Sequence, residues 1–229
     1  MPKALAPRPS GGRRPAPAVR ALPRDVVNEL NRLARSGKGP QAAARLERAV
    51  QLLERGDARG AVTEAQKAKG FAPRSVSIRE VLGMALYRQD RWREALSELQ
   101  AYRRMSGRAD QNHLIADAER ALGRPERAVP LAEEALAGRS VPIEAKAEAV
   151  IVAASALADM GRFDQALGLL RRVRTREDVA RPEVIRVWYV IADILERAGR
   201  PKEAAEQFRK ILRHDPAAYD VAERVAQLG

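Results

Sequence analysis

Apolar residues recur along most of the chain at helical spacing, three or four positions apart. In the first such run, Val26, Val27, Leu30 and Leu33 would form one stripe on a helix, and Ser36–Pro40 interrupts it. After residue 41, helical runs of about 12–19 residues alternate with short breaks, and no run alternates as a β-strand does. The pattern therefore predicts a chain made of helices.

The breaks recur in a fixed pattern. Each break combines a small residue, a turn residue seven positions later and an alanine five positions after that. The five sets are Ala49, Gly56 and Ala61; Gly83, Asp90 and Ala95; Ala116, Gly123 and Ala128; Ala154, Gly161 and Ala166; and Ala192, Gly199 and Ala204. Consecutive sets are 34, 33, 38 and 38 residues apart, which is typical of helical repeats.

Each set predicts two antiparallel helices joined by a tight turn. A glycine such as Gly199 ends a helix because, without a Cβ, it adopts the left-handed conformation at no steric cost. A proline such as Pro201 suits the first turn of the next helix, where its missing N–H is not needed. Small residues such as Ala192 and Ala204 then let the two helices approach closely. A single hairpin buries little surface, so neighbouring hairpins are expected to stack.

The last set resembles the tetratricopeptide repeat. The residues that carry the resemblance have the family's types at the family's spacing: Trp188, Ile191, Ala192, Leu195, Gly199, Ala204, Phe208 and Pro216. The third copy matches least well, because Glu119 and Ala132 replace apolar or large residues. The resemblance covers about residues 42–216.

This resemblance implies an all-α fold, a right-handed α-solenoid of about five helical hairpins. We expect the hairpins at about residues 41–73, 75–107, 109–140, 143–178 and 182–216, within one domain that spans residues 25–229. An extra helix from Asp25 would precede the hairpins. A capping helix at 217–229 would cover the apolar face of the last hairpin.

Composition changes the picture mainly at the start of the chain. Residues 1–24 contain six prolines and no acid, and their six basic residues are Lys3, Arg8, Arg13, Arg14, Arg20 and Arg24. They supply half of the formal net charge of +12. Such a segment buries too little apolar surface to offset its ordering entropy, so we predict a disordered basic arm.

Residue types and segments that the sequence lacks exclude several classes of function. The chain contains no cysteine, which excludes disulfides, thiolate catalysis and cysteine-ligated zinc. The longest uncharged run, Ala149–Ala158, is far shorter than the roughly 20 apolar residues that span a bilayer. We therefore expect a cytoplasmic protein with no membrane segment, no cofactor, no bound metal and no enzymatic activity.

Three polar residues of the third repeat are candidates for metal binding or acid–base chemistry. Asp110, His113 and Asp117 are three and four positions apart, which places them on one face of a predicted helix. Only one of them is a nitrogen ligand, and no fourth ligand is evident. A solvent-exposed polar face is the favoured interpretation.

In the family that the chain resembles, the first helices of successive hairpins line a concave groove. The candidate partner-binding residues on this groove are Glu80, Met84, Tyr87, Arg88, Asp110, His113, Asp117, Arg120, Tyr189, Asp193 and Arg197. Some family members hold a peptide carboxylate with a clamp of Lys, Arg and Asn. The matching positions here are Leu46, Val50, Glu80 and Met84, so the resemblance does not extend to that clamp.

Two function hypotheses follow. The first is a protein–protein interaction scaffold or adaptor that binds a partner peptide or helix in the groove. The second is an RNA- or ribosome-associated protein whose basic arm contacts phosphate groups. Candidate contacts with phosphate or an acidic partner are Arg8, Arg13, Arg14, Arg20, Arg171, Arg172 and Arg174.

Overall fold

The computed structural model describes residues 21–172 and 182–228 of the chain. These residues form twelve α-helices and no β-strand, which confirms the predicted all-α fold. Residues 1–20, which are most of the predicted basic arm, and Arg174 lie outside the described residues. Within the described part, none of the helices is both long and apolar enough to cross a membrane.

The helices follow one another through short connections. Their bounds are α1 Arg24–Leu33, α2 Gly39–Glu54, α3 Ala58–Phe71, α4 Val76–Tyr87, α5 Trp92–Ser106, α6 Asn112–Ala121, α7 Pro125–Ala137, α8 Ile143–Asp159, α9 Phe163–Arg171, α10 Pro182–Arg197, α11 Pro201–His214 and α12 Val221–Leu228. Consecutive helices pack in pairs, as α2 with α3, α4 with α5, α8 with α9 and α10 with α11.

The five predicted turn residues all adopt the left-handed backbone conformation. Gly56, Gly123, Gly161 and Gly199 have φ between 74° and 84°, and Asp90 has φ of 56°. The amide of the residue after each turn residue donates to a carbonyl five positions earlier, over 2.8–3.1 Å. These bonds satisfy carbonyls that a helix end otherwise leaves without partners. The prediction that these residues end helices is therefore confirmed.

The described residues form two compact units. We refer to residues 21–118 as the N-terminal unit and to residues 119–172 together with 182–228 as the C-terminal unit. The border between them lies inside α6. Each unit has its own buried side chains.

In the N-terminal unit, the small residues of the repeated sets stand where helices meet. Ala49, Ala61 and Ala95 are completely buried. A Cβ added to Gly83 of α4 would lie 2.6 Å from Cγ of Leu99 of α5, which is closer than real Cβ contacts. The close approach of α4 and α5 therefore requires glycine at this position.

In the C-terminal unit, the hydrophobic core contains Trp188 of α10 and Phe208 of α11. Trp188 is buried, as its position in the repeat predicts. Ala192 and Ala204 are completely buried, and Ala205, which the repeated pattern does not include, is buried to within 2%. The core of this unit thus combines aromatic residues with leucine, isoleucine and valine, and alanines stand where the helices approach closely.

Candidate functional site

One side of α4 carries three of the predicted partner-binding residues. Ser77, Glu80, Met84 and Arg88 are three or four positions apart and therefore share that side of the helix, which we call the α4 face. Glu80 and Met84 are half-buried and Arg88 is exposed. The Nη1 group of Arg88 donates to the carbonyl oxygen of Leu53 of α2 over 2.6 Å, which fixes the guanidinium.

Glu80 lies in a polar cluster that joins α4 to the residues around the start of α6. Its Oε1 accepts a 2.8 Å hydrogen bond from Gln111. Asp110 accepts a bond of the same length from the hydroxyl of Tyr102 and pairs with Arg108 over 2.5 Å. Burial raises the pKa of Glu80 above its ordinary 4.5, although the bond from Gln111 opposes this shift. Burial likewise raises the pKa of Tyr102. The cluster holds two carboxylates in place inside the N-terminal unit.

Tyr87 and Asp117 form a second buried pair between α4 and α6. The hydroxyl of Tyr87 donates to Asp117 Oδ2, and the Tyr87 ring meets Trp92 edge-on, with 5.2 Å between the ring centroids. His113 is half-buried, and its Nδ1 lies 3.0 Å from the carbonyl oxygen of Asp110.

The interpretation of Asp110, His113 and Asp117 as a solvent-exposed polar face is wrong. Both carboxylates are buried, because the hydroxyls of Tyr102 and Tyr87 from neighbouring helices cover and satisfy them. The two aspartates have different partners and do not converge on a common point. Across residues 21–172 and 182–228, no three His, Asp or Glu side chains are grouped as metal ligands.

In the C-terminal unit, three predicted residues belong to a chain of ion pairs. Arg120 Nη1 and Arg197 Nη2 both bind Asp159, over 2.8 and 2.7 Å respectively. Arg224 of α12 then donates to Asp193 of α10 over 3.2 Å. Arg120 and Asp159 are buried, so their charges depend on each other for compensation. The chain ties the last turn of α8 to α10, and α10 to α12.

Tyr189, the remaining predicted residue of this unit, also faces inward. Its hydroxyl donates to Asp220 Oδ1 over 2.6 Å, and its ring meets those of Phe208 and Tyr219 edge-on. Burial raises the pKa of Tyr189, and the bond to Asp220 adds to the shift. Tyr189 therefore holds the segment that leads into α12.

The predicted phosphate contacts are placed only in part. Arg171 and Arg172 are exposed at the end of α9. The other five, Arg8, Arg13, Arg14, Arg20 and Arg174, lie outside the described residues. Binding by any of the candidate residues stays a prediction.

Sequence reasoning missed several partners of the predicted residues. Asp159 and Arg224 were not singled out, nor was the pair of Arg186 with Glu148, whose Nη1 and Oε1 atoms are 3.0 Å apart. These pairs are separated by 28 to 39 positions along the chain, which is about one repeat. Opposite charges one repeat apart on first helices were the signal that could have found them.

Comparison with known proteins gives a family and a set of folds. Residues 50–112 and 151–219, more than half of the chain, match the family model described as tetratricopeptide repeat. No curated protein sequence matches the chain.

Three solved structures illustrate the similarity in fold. A thermophilic TPR protein of Thermus thermophilus has a TM-score of 0.62 at 20% identity, covering 82% of this chain and 98% of its own. The type IV pilus biogenesis factor PilW has a TM-score of 0.66 at 18% identity, and the match covers 82% of this chain and 88% of PilW. YrrB, described as a TPR protein with an unusual peptide-binding site, has a TM-score of 0.57 at 17% identity. The match covers 81% of this chain and 92% of YrrB. At these identities the likeness concerns the fold alone.

Proposed function

Because the chain belongs to the tetratricopeptide repeat family, we propose that it is a non-catalytic scaffold that binds a partner peptide or helix on its first helices. The fold implies protein partners in general. A peptide-binding site is named for YrrB, whose fold is similar. Stacked first helices offer a continuous surface of the kind that receives extended or helical peptides.

The observation that carries this proposal is that hydrogen bonds already hold the charged side chains of the α4 face in place. Glu80 is held by Gln111, and Arg88 is held by the carbonyl of Leu53, so an acid and a base stand at fixed positions. Met84 lies between them, half-buried and adaptable in shape. A surface whose charged groups are already ordered loses less entropy when a partner binds.

A binding test has to use residues that reach the surface, and circular dichroism must show that any Arg88 variant folds, because Arg88 also bonds the Leu53 carbonyl. Tyr87, Arg120 and Tyr189 are buried and bonded to carboxylates, so their substitution would test folding first. Met84 and Arg88 reach the surface of the α4 face and are the better choice.

The test compares two charge-matched double variants of the full chain. Met84→Glu with Arg88→Glu alters the α4 face. Arg104→Glu with Met105→Glu makes the same exchange at exposed positions of α5. Proteins captured from native lysate are identified by mass spectrometry. We expect the α4 variant to lose a set of proteins that both the wild type and the α5 variant retain. Equal capture by all three would refute binding at the α4 face.

A second candidate function rests on the composition of the N-terminal arm. Its six basic residues and lack of acids favour salt-dependent attraction to RNA. The test is the ratio of absorbance at 260 and 280 nm of purified protein, with and without nuclease. Replacing Arg8, Arg13, Arg14 and Arg20 by glutamine should remove any bound RNA, whereas glutamine at Arg171 and Arg172 tests the end of α9. RNA-free wild-type protein would rule this function out.

A further inference from the structure

Helix α1 is attached to the α4 face through one carboxylate. Glu29 Oε1 accepts the backbone N–H of Val76 over 2.5 Å and lies 3.4 Å from the N–H of Ser77. Its Oε2 accepts the side-chain hydroxyl of Ser77. The next N–H, of Ile78, is already bonded to Ser75 Oγ. A side chain 47 positions away thus completes the cap at the start of α4.

The position of this contact matters because Ser77 is the first member of the α4 face. Glu80 and Met84 follow it on the same side of α4, one and two turns further on. The Glu29 side chain therefore occupies the beginning of the strip that we propose for partner binding. Helix α1 itself packs against α2, another first helix of the N-terminal unit.

Helix α1 shows which chemistry the start of this face accepts. The N-terminus of α4 carries partial positive charge and N–H donors that have no partner within the helix, and both favour a carboxylate. The residue after Glu29 is Leu30, which is completely buried. In the docked helix, the acid that binds the start of α4 is thus followed directly by a leucine that is buried within the unit.

We infer that α1 is a displaceable internal occupant of the partner-binding face, and that the segment replacing it is an amphipathic helix with an acid–leucine pair. This inference rests on the proposed function. The occupant competes with the partner for the same donors of Val76 and Ser77. A partner helix therefore gains access only when α1 leaves.

Several features make the release of α1 separable from unfolding of the unit. The helix has ten residues, a single buried one, and no side-chain cap at Pro23. Isolated helices shorter than about 12–15 residues are marginally stable in water, so α1 gains its order mainly from docking. Five residues, 34–38, connect it to α2, and Gly37 among them has a positive φ of 70°.

The first experiment is hydrogen exchange on the full wild-type chain. We expect the amides of α1, and those of Val76 and Ser77, to exchange at least about tenfold faster than the later amides of α4, because α1 opens locally. Equal protection of α1 and of the middle of α4 would overturn the inference. This result does not depend on any partner.

The second experiment is titration of full-chain variants with a labelled peptide of residues 24–35. Glu29→Lys should release α1 and bind the peptide at least about tenfold more tightly than the wild type, as expected when an internal competitor is removed. Asn28→Lys, at an exposed neighbouring position, should bind like the wild type. A peptide that itself carries lysine in place of Glu29 should not bind. Equal binding to all variants, or binding to none, would overturn the inference.

A second release variant covers the case in which Glu29→Lys fails to fold, as judged by circular dichroism. Leu30 of α1 is completely buried, so Leu30→Asp should displace α1 while the donors of α4 and the surface that receives the peptide stay unchanged. It should bind the peptide as tightly as Glu29→Lys. If the peptide binds but the α4 double variant loses no protein partner, the proposed function fails and the internal docking stands. If hydrogen exchange shows that α1 never opens but the α4 double variant still loses partners, the inference about α1 fails and the proposed function stands.

Discussion

Individual polar side chains on the first helices find their partners one repeat away. Tyr87 donates to Asp117, and Tyr189 donates to Asp220 over 2.6 Å. Each hydroxyl satisfies a carboxylate beside it, and leaving such a buried acceptor unpaired costs about 1–3 kcal/mol. Residues selected as binding candidates therefore also contribute to folding.

Asp90 is the only one of the five turn residues that is not glycine, and we predict that replacing it with glycine stabilises the fold. Its φ of 56° is a conformation that costs an ordinary residue roughly 1–2 kcal/mol, which glycine avoids. Because glycine also has more freedom in the unfolded chain, we expect Asp90→Gly to raise the free energy of unfolding by about 0.5–1 kcal/mol. Urea denaturation measures this. The reverse change, Gly161→Asp, is the control and should lower it; a loss of stability in Asp90→Gly would contradict the argument.

Glu80 is predicted to give the protein a distinct pH dependence. Because burial raises its pKa above 4.5 in the folded state, Glu80 stabilises the fold when protonated and loses that contribution as the pH rises through the raised pKa. Glu80→Gln should therefore be more stable than the wild type at pH 7, and the difference should shrink towards pH 4.

The control for Glu80 is an exposed glutamate with the opposite shift. The hydrogen bond from Arg91 lowers the pKa of Glu94, so Glu94→Gln should show no gain at pH 7. Urea denaturation at several pH values measures both variants. A pH-independent difference between Glu80→Gln and the wild type would refute the assignment.

At the scale of helices, two kinds of contact hold neighbouring helices together. Small residues allow close approach, as Gly83 of α4 does against Leu99 of α5. Charged side chains bridge helices that are one repeat apart, as Arg224 of α12 does with Asp193 and Glu196 of α10. The first kind depends on shape and the second on charge.

Two glycines in helices should respond to alanine in opposite directions. Alanine favours a helix interior by up to about 1 kcal/mol over glycine. Gly168→Ala in α9 should gain this amount, because its Cβ would meet nothing within 4 Å. Gly83→Ala should instead lose about 1–3 kcal/mol, because its Cβ would overlap Leu99. Thermal and urea unfolding of both variants measure this; a stabilised Gly83→Ala would show that α4 and α5 can separate freely.

Arg224 is predicted to control the docking of α12. Its guanidinium is mostly buried and lies 2.6 Å from Glu196, which is itself partly exposed. Because solvent near Glu196 screens this ion pair, we expect it to stabilise the fold less than a fully buried pair would. Arg224→Gln should cost about 1–2 kcal/mol, because it leaves the half-buried carboxylates of Asp193 and Glu196 with weaker partners. Hydrogen exchange should show faster exchange throughout α12 and little change in α8. The conservative Arg224→Lys should recover part of the loss; unchanged protection of α12 would contradict its role.

At the scale of the whole molecule, the described residues form two compact units. Gly83 and its contact Leu99 belong to the N-terminal unit, whereas Arg224 and its carboxylate partners belong to the C-terminal unit. In repeat proteins, stability is close to a sum of local terms.

The effects of changes in the two units are therefore predicted to add. The loss of stability in a Gly83→Ala, Arg224→Gln double variant should equal the sum of the single losses within about 0.5 kcal/mol. Urea denaturation with an unchanged m-value measures this. A coupling well above that limit would show that the two sites share a cooperative interaction.

The sequence by itself determined the all-α fold, the family and the turns. These features are readable because they depend on neighbours in the chain: apolar residues every three or four positions make a helix, and glycine alone takes a left-handed turn at no cost. Even Asp90 was recognised as a turn residue, because its spacing from Gly83 and Ala95 repeats that of the other sets.

Only the tertiary structure decided what the polar residues do. Asp110 and Asp117 have the spacing of an exposed face, yet hydroxyls from other helices cover them. Glu29 reads as a surface residue of a short helix, yet it completes the cap of α4. The physical reason is that burial and pairing depend on which helices become neighbours. A contact between residues 30 to 47 positions apart forms only when the helices that carry them pack together.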